Sequence, residues 1–314
     1  MKKVVWLYII IFVVILIRGQ LIPFPSFVYG QYTATPTNTA TPTNTPTPTS
    51  TNTPTPTPTA TPTPIPHWTK LKNTSFSSAN GLSNPIPPTV SAYDGDDDGS
   101  RYFIIASTNY SPGMATAQSF YLNGADVSTN KWQSSFTKAI TMTPTDFLSY
   151  VQSRKVYTSF TNVSDIGTNS YNNQILVSSG SLIISSSNVS NFNNRNLVVV
   201  VNGNLSFDNT LTSFIPSGTP TNGHIAFLVT GMITFADTIT EADGIFVAPT
   251  IDLGTTVNQG LKVVGNLAAL TTLTNNRFWS SNAKPSVFIV FDKSFYISLL
   301  PYLSIANYNW QQLQ

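Results

Sequence analysis

Apolar residues in the second half of the chain alternate with polar ones around a series of tight corners. "VVVNGNLSF" turns at Gly203, "FLVTGMITF" at Gly231, "IFVAPTIDL" at Pro249 and "KVVGNLAAL" at Gly265. "ILVSSGSLII" turns near Gly180 with one extra residue. Two and four residues before the corner sit Val201 and Val199, Val229 and Phe227, Val247 and Ile245, Val263 and Leu261. Two and four residues after it sit Leu205 and Phe207, Ile233 and Phe235, Ile251 and Leu253, Leu267 and Ala269. A period of two is the mark of a strand with one apolar face. It predicts Leu205 and Ile233 inside, Ser206 and Thr234 outside.

Two architectures fit such units. Asn202-Gly203 between apolar runs is a strong hairpin signal, and a meander of hairpins or an antiparallel β-sandwich would follow from it. Isolated hairpins, however, need not repeat one register. A β-solenoid must, because each coil stacks like positions on like. The chain therefore predicts a mainly β fold, a short irregular β-solenoid over 171–286. The corner spacings of 23, 28, 18 and 16 residues are uneven, with the excess in loops such as "SSSNVSNFNNRN" and "FIPSGTPTNGH".

The flanks predict caps. "TPTDFLSYVQSRK" has Thr143 as N-cap, Pro144 at the first helical position, and Phe147, Leu148 and Val151 on one face. It predicts the one sizeable helix, near 144–155, within an N-terminal β-rich region spanning 67–170. "SVFIVFD" reads as a strand, and the aromatic-rich remainder of 287–314 as a C-terminal cap.

The first 66 residues differ in kind. "MKK" precedes the apolar run Val4 to Ile17, which predicts a signal peptide or membrane anchor over 1–30, with Val28 and Gly30 placed for cleavage. Every odd position from Thr33 to Thr63 is Thr, interleaved with Pro, Ala, Asn or Ser. Proline removes ladder donors, so 31–66 is predicted to be a polyproline-like stalk roughly 100 Å long. Dense Thr and Pro is also the composition of O-glycosylated stalks.

Charge narrows the function classes. Only 9% of residues are charged, and Glu241 is the single Glu. Lys2, Lys3, Arg18 and Lys70 are placed outside or at the edge of the folded part, so no basic patch points to nucleic acid. The absence of Cys excludes disulfides and thiolate metal sites.

Candidate chemistry is sparse. His67 and His224 are the two histidines, and neither sits in a catalytic motif. Asp237, Glu241 and Asp243 in "ADTITEADG" are the carboxylates a polysaccharide-active enzyme on this scaffold would use. Tyr102, Phe103, Tyr110, Phe120 and Tyr121 could form a carbohydrate platform or simply core. Sequons at Asn73, Asn162, Asn188 and Asn204 are weak signals in a chain this rich in Ser, Thr and Asn. The exception is "DGDDDGS". Asp94, Asp96 and Asp98 take positions one, three and five of a calcium loop, with Gly99 at six and the Ser100 carbonyl next. Position twelve would be Ile105, which excludes an EF-hand. A weak Ca²⁺ site is expected there, against a plain acidic turn.

"HWTKLKNTSFSSANGLSNPIP", "YDGDDDGSRYFIIAS", "TDFLSYVQSRKVYT", "EADGIFVAPTIDLG", "LKVVGNLAAL" and "NYNWQ" occur in that order behind the anchor and stalk. In this the chain resembles exported cell-surface proteins of candidate-phyla bacteria with reduced genomes. The resemblance covers most of His67 to Gln314. Gln312 stands where that group has an acidic residue, which removes a charged terminal contact. The resemblance implies an envelope protein with a β-rich, solenoid-like domain and no established activity, and a non-enzymatic, structural or adhesive role is expected. Surface glycans or other envelope components are the expected partners, with the membrane met through the N-terminal segment and the domain outside the cell. A polysaccharide-active enzyme and a pilus or surface-layer component are the alternatives.

Overall fold

The computed structural model describes residues 67–78, 82–110, 113–117, 120–121, 132–134, 142–216 and 223–304. The expected anchor, the stalk and the aromatic ending after Ser304 lie outside them. The strands are β1 (Thr69–Lys72), β2 (Phe76–Ser77), β3 (Leu82–Ser83), β4 (Ile104–Ile105), β5 (Ala115–Ala117), β6 (Phe120–Tyr121), β7 (Trp132–Ser134), β8 (Thr158–Phe160) and β9 (Gln174–Ser178). They continue as β10 (Leu182–Ile184), β11 (Asn196–Val201), β12 (Leu205–Phe207), β13 (Ser213–Phe214), β14 (His224–Val229), β15 (Met232–Phe235), β16 (Glu241–Asp252), β17 (Leu261–Thr274) and β18 (Val287–Val290). The helices are α1 (Pro144–Arg154), α2 (Val163–Thr168) and α3 (Lys293–Leu303).

The fold is β-rich, built on a 13-stranded sheet with the order β4-β1-β18-β17-β16-β14-β11-β9-β8. Every strand pair among the described residues is parallel, which overturns the antiparallel alternative. The Asn202-Gly203 corner joins β11 and β12, yet these do not pair with each other. β11 lies between β9 and β14, and β12 between β10 and β15. Gly203 has φ 148°, and a Cβ there would lie 2.7 Å from Ser181 Oγ, so the corner requires glycine. The ladder continues through the corner, where Gly231 N–H donates to Gly203 O at 2.9 Å.

Register follows the expected alignment in the first three units. Val199 faces Leu176 and Phe227, and Leu205 faces Leu182 and Ile233. Leu205 and Ile233 are fully buried, while Ser206 and Thr234 are half-buried. The next units depart from the alignment. Phe227 pairs with Phe246, not Ile245, so the first strand of that unit is displaced by one residue. The pairing shifts again between Ala248 and Thr250, around Pro249. Gly265 does not match Pro249 at all. It stacks on Gly244, where its φ of 129° and a Cβ position 2.1 Å from Gly244 O admit only glycine. The physical reason is packing. Phe246 faces inward with Phe227, their rings stacked with centroids 5.9 Å apart. Phe207 and Phe235 stack likewise at 4.8 Å and 3° between planes. Rows of identical rings fix the register more firmly than the corners do.

The interior between the strands is filled by Leu176, Leu197, Val199, Val201, Leu205, Phe207, Phe227, Ile233, Phe235 and Phe246 among others. α1 forms as expected, with Thr143 and Asp146 closing a capping box. Its Phe147, Leu148 and Val151 do not cap an end of the sheet. They lie with Phe295 and Leu299 of α3 against Ile175, Val177, Val198, Val200, Ala226 and Ile245 on the outer sheet face. α3 is a second sizeable helix, formed because Asp292 caps it through the Ser294 N–H at 2.8 Å. α2 places Val163 and Ile166 in the interior beside β8. At the opposite end the first strand in the sequence, β1, pairs with the last, β18. β2 pairs with β5, β5 with β7 and β3 with β6, so the stretch after β1 is also parallel. Among the described residues, no helix is long and apolar enough to cross a membrane.

Candidate functional site

Three lysines converge on the Asp94–Ser100 loop. Lys70 was expected at the edge of the folded part. It is instead fully buried in β1, between β18 and β4. Its Nζ donates to Asp97 Oδ1, to Asp98 Oδ1 at 3.0 Å and to the Ser100 carbonyl at 2.6 Å. Lys72 lies 2.9 Å from Asp96. Lys262, from β17, reaches Asp94 at 2.7 Å, Asp96 at 2.8 Å and Glu241 at 3.5 Å. The loop shapes itself as well, with Asp96 N–H donating to Asp94, Gly99 N–H to Asp97 and Ser100 N–H to Asp98.

The electrostatics agree. Hydrogen bonds from Lys262 and then Lys72 hold the Asp96 carboxyl below its ordinary range. Burial pushes Asp98 up, but bonds from Ser100 and Lys70 bring it below its usual value. Burial opposes the Lys262 charge, yet its bonds to Asp94 and Asp96 raise its pKa. Tyr93, packed on Phe288 and Trp279, is pushed up to about 12, chiefly by burial. The donor set thus meets ammonium groups on Asp94, Asp96 and Asp98. The mutual repulsion of these adjacent carboxylates, which a Ca²⁺ ion would also offset, is relieved by the three lysines. No group of three metal-ligating side chains occurs among the described residues. Asp97, outside the calcium pattern, is the most buried carboxylate of the loop and shares Lys70 with Asp98. The sequence signal for it was indirect: Lys70 and Lys72 in "TKLK", two dozen residues upstream, stand two apart and so share one face of a strand.

The other candidates separate. Asp237 accepts from Thr255 N–H at a corner, while Glu241 and Asp243 lie on β16 near Lys262. Asp243 Oδ1 is buried without a hydrogen-bond partner, and burial, with Glu241 second, pushes its carboxyl up to about 7. Phe103 is core, while Tyr102 and Tyr110 are exposed and Phe120 and Tyr121 form β6. The amides of Asn73, Asn188 and Asn204 are bound within turns and corners, and Asn162 precedes α2. His67 is exposed.

Two groups carry more than the sequence signalled. Arg277 is fully buried and donates only to backbone carbonyls, among them Ile239 and Ala236 at 2.7 Å each and Leu253. It ties three corners together, and burial draws its pKa down. His224, which stands in no catalytic motif, begins β14 half-buried between Asn196 and Ser294. Neither partner is near it in sequence, so spacing could not have found them. No known protein family, curated protein or solved structure matches the chain.

Proposed function

We propose that this chain is a cell-envelope protein that displays a β-solenoid domain outside the cell on a Thr/Pro stalk, in a structural or adhesive role. The observation that carries the reading is the register. Successive strands pair parallel and stack like on like, from Leu176 through Val199 to Phe227 and from Leu182 through Leu205 to Ile233. A coil that stacks in this way buries one set of rows and leaves outer rows that can be varied without loss of core. The outward positions Ser206, Thr234, Asp252 and Thr274 fall in one such row, short and mostly uncharged. In this reading the β1–β18 pairing makes the segment next to the stalk part of the stack, so that force on the stalk is borne by a sheet ladder and the buried Lys70–Asp97 pair.

Protease treatment of intact cells, with the mature N-terminus sequenced, tests this. Cleavage within the stalk that releases a folded domain from intact cells is the expected result. A domain cleaved only after lysis would refute the display.

A further inference from the structure

The surroundings of His224 assign it a defined tautomer. Its backbone N–H meets the side-chain amide of Asn196 at 3.3 Å, and because an N–H donates, the atom it meets is the amide oxygen. Asn196 Nδ2 donates in turn to Asn173 Oδ1 at 3.2 Å, which fixes the amide the same way round. His224 Nδ1, 3.1 Å from that oxygen, must therefore carry the ring proton. Nε2 is left as an acceptor, and Ser294 Oγ lies 3.0 Å from it. The Phe295 ring meets the imidazole edge-on at 4.9 Å and restricts its rotation. Burial lowers the His224 pKa, with Asp292 opposing, which favours the neutral ring that this geometry requires.

This is the order hydroxyl, base, orienting group in which a serine becomes a nucleophile. The three residues come from the starts of α3, β14 and β11, and all are half-buried, so the hydroxyl is neither sealed nor freely solvated. Ser294 is in the first turn of α3; its own N–H is taken by the Asp292 side chain at 2.8 Å, and the neighbouring N–H groups of that turn have no intrahelical acceptor.

We propose that Ser294 is an acyl-accepting nucleophile toward carboxylic esters, with His224 as its base and Asn196 as the residue that positions the imidazole. In the step, Oγ bonds to the ester carbonyl carbon and the Oγ proton passes to His224 Nε2. The carbon–alkoxy bond then breaks, and the leaving alcohol takes that proton. Water attacking the acyl-serine by the reverse route releases the acid. The assignment does not depend on the display reading, since it concerns local chemistry.

The full chain treated with p-nitrophenyl acetate and mapped by mass spectrometry tests it. Acetylation at Ser294 in the wild-type protein is expected. His224→Gln should slow it about a hundredfold, the usual weight of a positioned base. Asn196→Ala should slow it about tenfold, through loss of alignment, and Asn196→Asp should restore it. A circular dichroism spectrum checks that each variant is folded, and the wild-type label site needs no variant. Acetyl groups on lysines alone, or equal labelling of Ser294 in folded His224→Gln, would overturn the proposal and leave the three residues as a pin for α3.

Discussion

β11 and β12 are joined by one corner and have different surroundings. Every residue from Leu197 to Val201 is buried, alternately against the interior and against α1 and α3. In β12 only Leu205 and Phe207 are buried, and Ser206 looks outward. α1 and α3 cover the outer face of β9, β11 and β14, while the outer face of β10, β12 and β15 has no such cover. A continuous apolar run therefore signals burial on both faces, and alternation signals burial on one. The same contrast separates β9 and β14 from β10 and β15.

The contrast breaks most visibly under charge. Val200→Asp and Leu205→Asp should both abolish cooperative unfolding, because each buries an unpaired carboxylate. If Val200→Asp folds normally, the helices do not cover β11. Next in size is the end of the sheet where β1 is held. Lys70→Met leaves Asp97 buried without its cation and should cost about 3–5 kcal/mol by urea denaturation. A loss too small to resolve would mean that β1 is not seated on β18.

A smaller effect separates Asp243 on β16 from the carboxylates of the Asp94–Ser100 loop. The folded-state pKa of Asp243 is about 7 against an ordinary 3.8, so the folded protein holds a proton that the unfolded chain has released. Stability should fall as pH rises from about 4 through 7, and Asp243→Asn should flatten that slope in urea midpoints. Asp96 and Asp98 act in the opposite sense. Their contribution is present above 3.8 and lost as pH falls through their lowered values. Smallest of all, Ser206→Asp should change stability by no more than about 0.5 kcal/mol. Ca²⁺ calorimetry should show no binding heat, since lysines already meet the loop carboxylates. A heat that vanishes in Asp96→Ala would restore the metal site.

Much of this was legible in the chain. The alternation in "NLSF" and "MITF" gave the inward and outward sides of β12 and β15, and Thr143-Pro144 gave the start of α1. The run "LVVVV" held the information that its outer face is covered, but nothing in it said by what. The corner signals were sound at Gly203 and Gly231 and misleading at Gly265, because a glycine forced by close backbone approach looks like a glycine forced by a turn. The pairing of β1 with β18 joins segments more than two hundred residues apart, and the His224 cluster depends on it only through the sheet that carries Asn196, His224 and α3. Such placements follow from stacking, which a local pattern does not contain.

The stacked parallel register is the claim on which the rest depends, and the absence of native cysteine allows it to be tested cleanly. Ser206 and Thr234 are register partners on neighbouring parallel strands. Their Cα atoms should lie about 4.8 Å apart, within disulfide reach. Ser206→Cys with Thr234→Cys should form an intramolecular disulfide on mild oxidation, and Val199→Cys with Ser206→Cys should not. The opposite outcome, a bridge between 199 and 206 and none between 206 and 234, is what a hairpin at Asn202-Gly203 would give, and it would contradict the stack.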